Sequence, residues 1–426
     1  MTTEGPHAAV VVVGAGHAGF TVASQLRTEG YEGSITLVDE QGRLPYQRPP
    51  LSKAYLNGDL PADELPFRGA VFYERERIDY LAGEGVVTID RAARSVVTTT
   101  DRTLRYDALV LATGATPIRP PMFAPGIGGV LELRSIEDAD GLAAALRGAR
   151  RVVVVGGGFI GLEVACAARK HGLAVDVVEL RDRVMARAVG PTVSAYAVDA
   201  HRAMGITVHL GAGVTTIDTH DGRVRGVTLA TGQSIPADLV VLGVGIAPRT
   251  ELAEKAGLDV DNGIVVNEFL ETSDPAISAI GDCCSFPYFP GGRRVRLESV
   301  QNATDQARNL AKRLSGTRTP YTDLPWFWSD QGGLKLQMAG VGGAADREVV
   351  HGDPASGKFS VLRFDGDRLV CGESVNSSGD HVSLRTVVAH GRDEEVVRKL
   401  RSEPGTADLR QLARSLRRRS YQSDQK

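Results

Sequence analysis

Six glycines in two clusters are the residues of this sequence with the clearest chemical use. Gly14, Gly16 and Gly19 stand in VVVVGAGHAG, and Gly156, Gly158 and Gly161 stand in VVVVGGGFIGLE. Each cluster spells GxGxxG directly after an apolar run. In that setting the first glycine allows a tight turn, the second lets the backbone approach a ligand, and the third lets a helix pack closely on a strand. The N-terminus of that helix then attracts a pyrophosphate. One isolated match would say little, because ordinary turns give the same pattern. Two matches about 140 residues apart imply two dinucleotide sites.

Two carboxylates stand where ribose recognition needs them. Glu40 follows the second apolar run after the first glycine cluster, and Glu179 closes the run AVDVVE after the second. A carboxylate at either place accepts hydrogen bonds from a ribose diol, and at Glu179 it repels a 2′-phosphate. NADH is therefore expected over NADPH. Arg181 and Arg183 are near enough to oppose that preference, or they are plain surface charge.

The elements that must hold these groups are legible as apolar runs. A strand over residues 8–13, the glycine turn, a helical stretch and a strand at 34–38 form a βαβ unit. A further strand at 108–112 runs into the turn Thr113-Gly114 and a proline-marked crossing. The second unit repeats strand, glycine turn, helix and strand from Arg151 to Glu179. ADLVVLGVGIAP and ISAIGD then supply strands ending in glycine, the latter leading back to the first domain. From about Pro325 the pattern changes to strands such as KFSVLRF and RLVCGESV, then a basic end whose last residues, RSLRRRSYQSDQK, are expected to be a solvated tail.

Composition narrows the partners. With 426 residues the chain has room for about three domains. A net charge of -3 gives no global reason to bind nucleic acid or an anionic membrane. The opening MTTEGPHAAV lacks the basic flank and apolar core of a signal peptide, and no apolar run reaches membrane-spanning length, so a cytoplasmic protein is expected. The four cysteines, Cys166, Cys283, Cys284 and Cys371, show no CxxC spacing and read as free thiols.

The order of motifs resembles the flavoprotein reductases with two dinucleotide-binding domains, within them the putidaredoxin reductase and rhodocoxin reductase group. The resemblance is carried by GAGHAG, PYQRPPLSK ending at Lys53, LATG, GGGFIGLEVA, TSDP with IGDC, and WFWSDQ. It implies an α/β fold with two Rossmann-like domains, glutathione-reductase-like, and a C-terminal α+β domain. The implied boundaries are 1–115 with 246–324 for FAD, 116–245 for NAD, and 325–426 for the C-terminal interface domain. FAD contacts are implied at Gly14, Gly16, Ala18, Gly19, Glu40, Lys53, Val86, Arg134, Asp282 and Val300. NADH contacts are implied at Gly156, Gly158, Ile160, Gly161 and Glu179. Lys53 and Glu163 match the lysine and glutamate that pair beside the flavin N5 in such enzymes; otherwise they are a surface cation and a helix-face carboxylate.

This chain departs from the wider superfamily in having no cysteine before Cys166, which removes the redox cysteine pair and the single reactive cysteine of related oxidases and peroxidases. The resemblance then implies hydride transfer from NADH to FAD, followed by single-electron transfer to a [2Fe-2S] ferredoxin that serves a haem monooxygenase or a ring-hydroxylating dioxygenase. An NADH oxidase or quinone reductase, and a redox-controlled binding flavoprotein resembling apoptosis-inducing factor, are the alternatives. Arg293, Arg294, Arg296, Arg308, Lys312 and Arg313 are either a docking patch for an acidic ferredoxin or a solvated face. Trp326 and Trp328, two residues apart, share a face if they lie in a strand, and either shield the flavin, line a docking surface or pack in the core.

Overall fold

The apolar run Ala9–Val13 is the middle strand of a five-stranded parallel sheet, ordered Ile277–Ala279, Ala108–Leu111, Ala9–Val13, Ser34–Asp39, Ile78–Ala82. Val10, Val11 and Val12 are almost wholly buried, as a parallel strand covered on both faces requires. The computed structural model describes residues 9–288, 293–343 and 345–423, so Ala8 of the expected first strand and residues 424–426 of the expected tail lie outside the described residues. The chain divides into two units.

The first unit holds the chain as far as Arg48, Pro61–Thr116 and Ile246–Asp323. The helix His17–Thr28 leads out of the first glycine turn and packs beside Val300–Leu314. A small antiparallel sheet of Val86–Asp90, Ser95–Thr98 and Thr103–Arg105, unforeseen in the sequence, is inserted between the third and fourth parallel strands.

The second unit holds Pro49–Leu60, Pro117–Gly245 and the chain from Leu324 onward. Its parallel sheet is ordered Ile206–His209, Ala174–Val178, Arg151–Val155, Leu239–Leu242, Val130–Glu132. Its other large sheet is antiparallel, ordered Trp326–Gln331, Leu334–Gly340, Arg368–Val375, Lys358–Asp365, Arg347–Asp353. The helix Ser378–Ala389 packs on that sheet, and Leu409–Ser423 packs on the helix. The basic end is thus helical as far as Ser423, because Leu409, Leu412, Ala413 and Leu416 recur at helical spacing and are buried.

The short piece Pro49–Leu60 lies in the second unit although the chain on both sides of it lies in the first. Leu56 explains the attachment: it is buried in one cluster with Leu142, Leu146 and Leu162. Tyr55 donates to Asp140 at 2.6 Å and Lys170 pairs with Asp59 at 2.8 Å, fixing the piece on both flanks. Lys53 is thereby delivered to the second unit. Among the described residues no helix is long and apolar enough to cross a membrane.

Candidate active site and dinucleotide cradles

Both glycine turns are built so that a side chain cannot enter them. Gly14 has φ +97°, and a Cβ there would stand 2.4 Å from the Ala112 carbonyl oxygen; Gly156 has φ +110°, and its Cβ would stand 2.4 Å from the Gly243 carbonyl oxygen. At Gly19 and Gly161 a Cβ would press on the turn itself, 1.8 Å from Gly14 O and 2.3 Å from Gly156 O. Gly16 differs: a Cβ there would meet no protein atom within 4 Å. Packing makes no demand for glycine at that place, so the space it keeps clear lies on the outer side. The helices that follow carry no side-chain cap at Gly16 or Gly158, leaving first-turn amides for an anion. These features fit one dinucleotide at each turn.

Ala18 and Asp282 meet through a neighbour. A Cβ on Gly281 (φ +79°) would stand 3.1 Å from the Ala18 methyl, so a residue larger than alanine would displace the Gly281-Asp282 turn from the first glycine helix. Gln306 accepts the Gly281 N–H at 2.7 Å and fixes the turn from the helix Val300–Leu314. Val300 is the first residue of that helix, capped by the Ser299 hydroxyl, which accepts the Asn302 N–H. Val86 opens the inserted sheet and is half-buried against the first core. Glu40 is paired through both oxygens with Arg249, which holds its carboxyl below the usual range. Arg134 lies in the second unit, before the Ser135 capping box of helix Ile136–Gly148, and its backbone N–H donates to Asp138 at 2.9 Å. Of the ten positions expected to contact FAD, eight fall in the first unit and two, Lys53 and Arg134, in the second.

In the second glycine turn Glu179 is held in place by the backbone. Its Oε2 accepts the Gly157 N–H at 2.7 Å and its Oε1 accepts the Arg181 N–H at 2.8 Å. A carboxylate has about four acceptor sites, so two remain. Arg183 is committed elsewhere, donating to the carbonyls of Val189 and Ala186 at 2.6 and 2.9 Å. Ile160 is exposed on the first turn of the helix.

Lys53 and Glu163 are brought together. Lys53 Nζ lies 2.7 Å from Glu163 Oε2, with the lysine side chain 23% exposed and the glutamate side chain 2%. Two serines absent from the sequence reading complete the carboxylate: Ser52 donates to Oε2 at 2.5 Å and Ser329 to Oε1 at 2.6 Å. Helical spacing puts Phe159 and Glu163 on one helix face, and strand alternation puts Phe327, Ser329 and Gln331 on one strand face. The two faces meet, with Phe159 and Phe327 rings 4.6 Å apart. Gln331 then donates to Ser329 at 3.1 Å. The motifs PPLSK and WFWSDQ carried the signal, but only as motifs; nothing in them says which hydroxyl reaches Glu163. One ammonium and two hydroxyl donors converge on this buried carboxylate and fix its direction.

The thiols are not arranged for redox exchange. All four cysteines are free, and burial raises the thiols of Cys283, Cys284 and Cys371, and that of Cys166 to about 12. The basic residues considered for docking divide between packed side chains, Arg296 and Arg313, and exposed ones. Arg313 pairs with Glu271 at 2.6 Å, Arg308 with Asp305 at 2.9 Å and Arg296 with Glu298 at 2.8 Å, while Arg294 donates to the Ser285 carbonyl at 2.9 Å. Arg293, Arg294, Arg308 and Lys312 are exposed. Trp326 and Trp328 do share a strand face, with ring centroids 5.5 Å apart, and the Arg385 guanidinium lies over Trp326.

Residues 8–307 match the family described as pyridine nucleotide-disulphide oxidoreductase, and residues 326–413 match the one described as Reductase C-terminal. Rhodocoxin reductase of Rhodococcus erythropolis is 49% identical over 380 residues, covering 89% of each chain. Putidaredoxin reductase of Pseudomonas putida is 42% identical over 372 residues, covering 86% of this chain and 88% of that one. The crystal structure of a covalent putidaredoxin reductase-putidaredoxin complex has 39% identity and a TM-score of 0.88, covering 92% of this chain and 98% of that one.

Proposed function

The chain belongs to the pyridine nucleotide-disulphide oxidoreductase family, in the group of putidaredoxin and rhodocoxin reductases, and from that premise we propose that it is an FAD-dependent NADH:ferredoxin reductase. The acceptor is a [2Fe-2S] ferredoxin that supplies a haem monooxygenase or a ring-hydroxylating dioxygenase. The observation that carries the reading is the buried Glu163 carboxylate, held by Lys53, Ser52 and Ser329.

FAD is assigned to residues 1–115 with 246–324, NADH to 116–245, and the interface role to 325–426. Gly14, Gly16, Ala18 and Gly19 would receive the FAD pyrophosphate, Glu40 a ribose diol and Asp282 a ribityl hydroxyl, with Val86 lining the site. Arg134 would neutralise phosphate charge, and Val300 offers a helix-end N–H. When bound, FAD accepts electrons from a nicotinamide as a pair and releases them singly.

The protein's part is placement and charge. Glu163 orients Lys53, and the pair would hold the nicotinamide end of NADH, whose other end is received by Gly156, Gly158, Ile160, Gly161 and Glu179. Glu179 with both oxygens turned toward backbone amides supports NADH over NADPH, because a 2′-phosphate would meet a fixed negative charge and Arg183 is otherwise engaged. Raised, buried thiols favour an electron path that uses no cysteine. Four free thiols also suit the reducing cytoplasm, where we place the protein.

Anaerobic stopped-flow absorbance tests the proposal: the purified protein is mixed with NADH or NADPH and then with a panel of two-iron ferredoxins. Rapid bleaching by NADH and reoxidation by a ferredoxin are expected. Reoxidation only by oxygen or quinone would reassign the acceptor, and a protein that takes up no flavin would remove the whole reading.

A further inference from the structure

We propose that Arg249 is a positioning residue for FAD, fixing the Glu40 carboxylate across the open end of the first glycine turn. The inference rests on the reading of that turn as the FAD site, and adds to it a residue that lies in neither glycine motif.

Topology gives the pair its place. In the first parallel sheet the strand Ala9–Val13 lies between Ala108–Leu111 and Ser34–Asp39. Glu40 directly follows the strand on one side, and the turn Thr113-Gly114 follows the strand on the other. Arg249 is tied by its backbone to that second turn: its N–H donates to Gly114 O at 3.0 Å, and its carbonyl accepts from Thr113 Oγ1 at 2.7 Å. Its guanidinium nevertheless reaches Glu40, donating through Nη2 to Oε2 at 2.9 Å and through Nη1 to Oε1. The side chain thus passes over the end of the middle strand, where the chain enters Gly14 and Gly16.

Folding stability alone does not account for the pair. The Arg249 and Glu40 side chains are 37% and 51% exposed, and exposed ion pairs contribute little to folding. Two parallel hydrogen bonds do, however, fix the plane of a carboxylate. They occupy two of its acceptor sites and leave two for a ribose diol. They also offset a negative charge that would otherwise stand near the diphosphate received by the same turn. Glu40 held below the usual carboxyl range stays ionised through the physiological span.

The test is a double-mutant cycle read by FAD affinity rather than turnover. Apoprotein of the wild type, Arg249→Met, Arg249→Lys, Glu40→Gln and the double variant Glu40→Gln/Arg249→Met is titrated with FAD, following quenching of flavin fluorescence, with each apoprotein's melting temperature recorded. Arg249→Met is expected to weaken FAD binding about tenfold, equivalent to 1.4 kcal/mol. Arg249→Lys should restore part of the loss, and Arg249→Met should cost little more once Glu40 is glutamine. Unchanged affinity in Arg249→Met, or an equal loss in both backgrounds, would overturn the proposal, the latter by showing that the guanidinium acts without Glu40. If Arg249→Met does not fold, Arg249→Lys in both backgrounds gives the same comparison. Failure of the wild type to bind FAD would instead strike the parent reading.

Discussion

Ser329, in the first strand of the C-terminal sheet, donates to Glu163 Oε1 at 2.6 Å, opposite the oxygen that Lys53 and Ser52 share. If the Lys53-Glu163 pair acts as proposed, the WFWSDQ strand belongs to the reaction site, because Ser329 helps fix the direction of that pair. Ser329→Ala removes one of three donors from a buried carboxylate. Hydrogen bonds to charged groups contribute about 1.5–3 kcal/mol, so flavin reduction by NADH should slow by about 10- to 100-fold. Lys53→Ala and Glu163→Ala should slow it at least as much, with FAD retained in each. Stopped-flow reduction rates equal to wild type in flavin-loaded variants would remove the alignment role.

On the proposed assignment Glu179 sets which nicotinamide is used, and its effect should fall mainly on KM. Glu179→Ala frees the Gly157 and Arg181 amides and removes the fixed charge facing a 2′-substituent. The kcat/KM for NADH should fall by about 10- to 100-fold, with a smaller fall or a gain for NADPH. A wild-type enzyme equally efficient with both nucleotides would refute the NADH preference before any variant is made.

How far these features were legible depended on the range of the interaction. The glycine turns could be read because their signature is local, GxGxxG directly after an apolar strand, although the carbonyls that close on Gly14 and Gly156 come from the distant Ala112 and Gly243. Glu179 was legible for the same reason. Ser52 and Ser329 lie 111 and 166 positions from Glu163, and serine has no period or charge that would mark it. Arg249 lies 209 positions from Glu40. The basic stripe was only partly legible: Arg308 and Lys312, one helical turn apart, are both exposed, whereas Arg313 is rotated onto the packed side and meets Glu271. The extra antiparallel strands were missed because their short, mixed runs, such as VVTID, carry neither clear alternation nor a long apolar block. Pro49–Leu60 moved to the second unit through Leu56, one apolar residue in a proline-rich stretch.

Gly156→Ala should separate the two cofactors. A Cβ there would meet Gly243 O at 2.4 Å, and φ +110° is closed to alanine. Strain of about 1–3 kcal/mol must be relieved by moving the second glycine turn. The KM for NADH should rise by more than tenfold while the flavin-to-protein ratio stays that of the wild type. Loss of flavin together with unaltered NADH use in reloaded protein would reverse the assignment of the two turns.

Glu373 links stability to pH. Both its oxygens accept the Gly190 N–H, at 2.9 and 3.1 Å, ahead of helix Pro191–Ala203, and Arg363 donates to it at 2.9 Å. Arg363 also faces Glu348, which accepts from the Thr192 hydroxyl at 2.6 Å, so one guanidinium serves two carboxylates. Burial is the largest influence on Glu373 and raises its carboxyl to about 7, from an ordinary 4.5, against the lowering effect of Arg363 and the Gly190 N–H. The folded state then binds a proton that the unfolded chain has already lost. The sign follows: this group's contribution is complete below pH 4.5 and is lost as pH rises through about 7. Its full span is on the order of 3 kcal/mol. Glu373→Gln keeps an oxygen for Gly190 and cannot ionise, so its melting temperature should fall less than that of the wild type between pH 5 and pH 8. Parallel melting profiles for the two proteins would show that Glu373 is already ionised throughout that window and that Arg363, rather than burial, sets its charge.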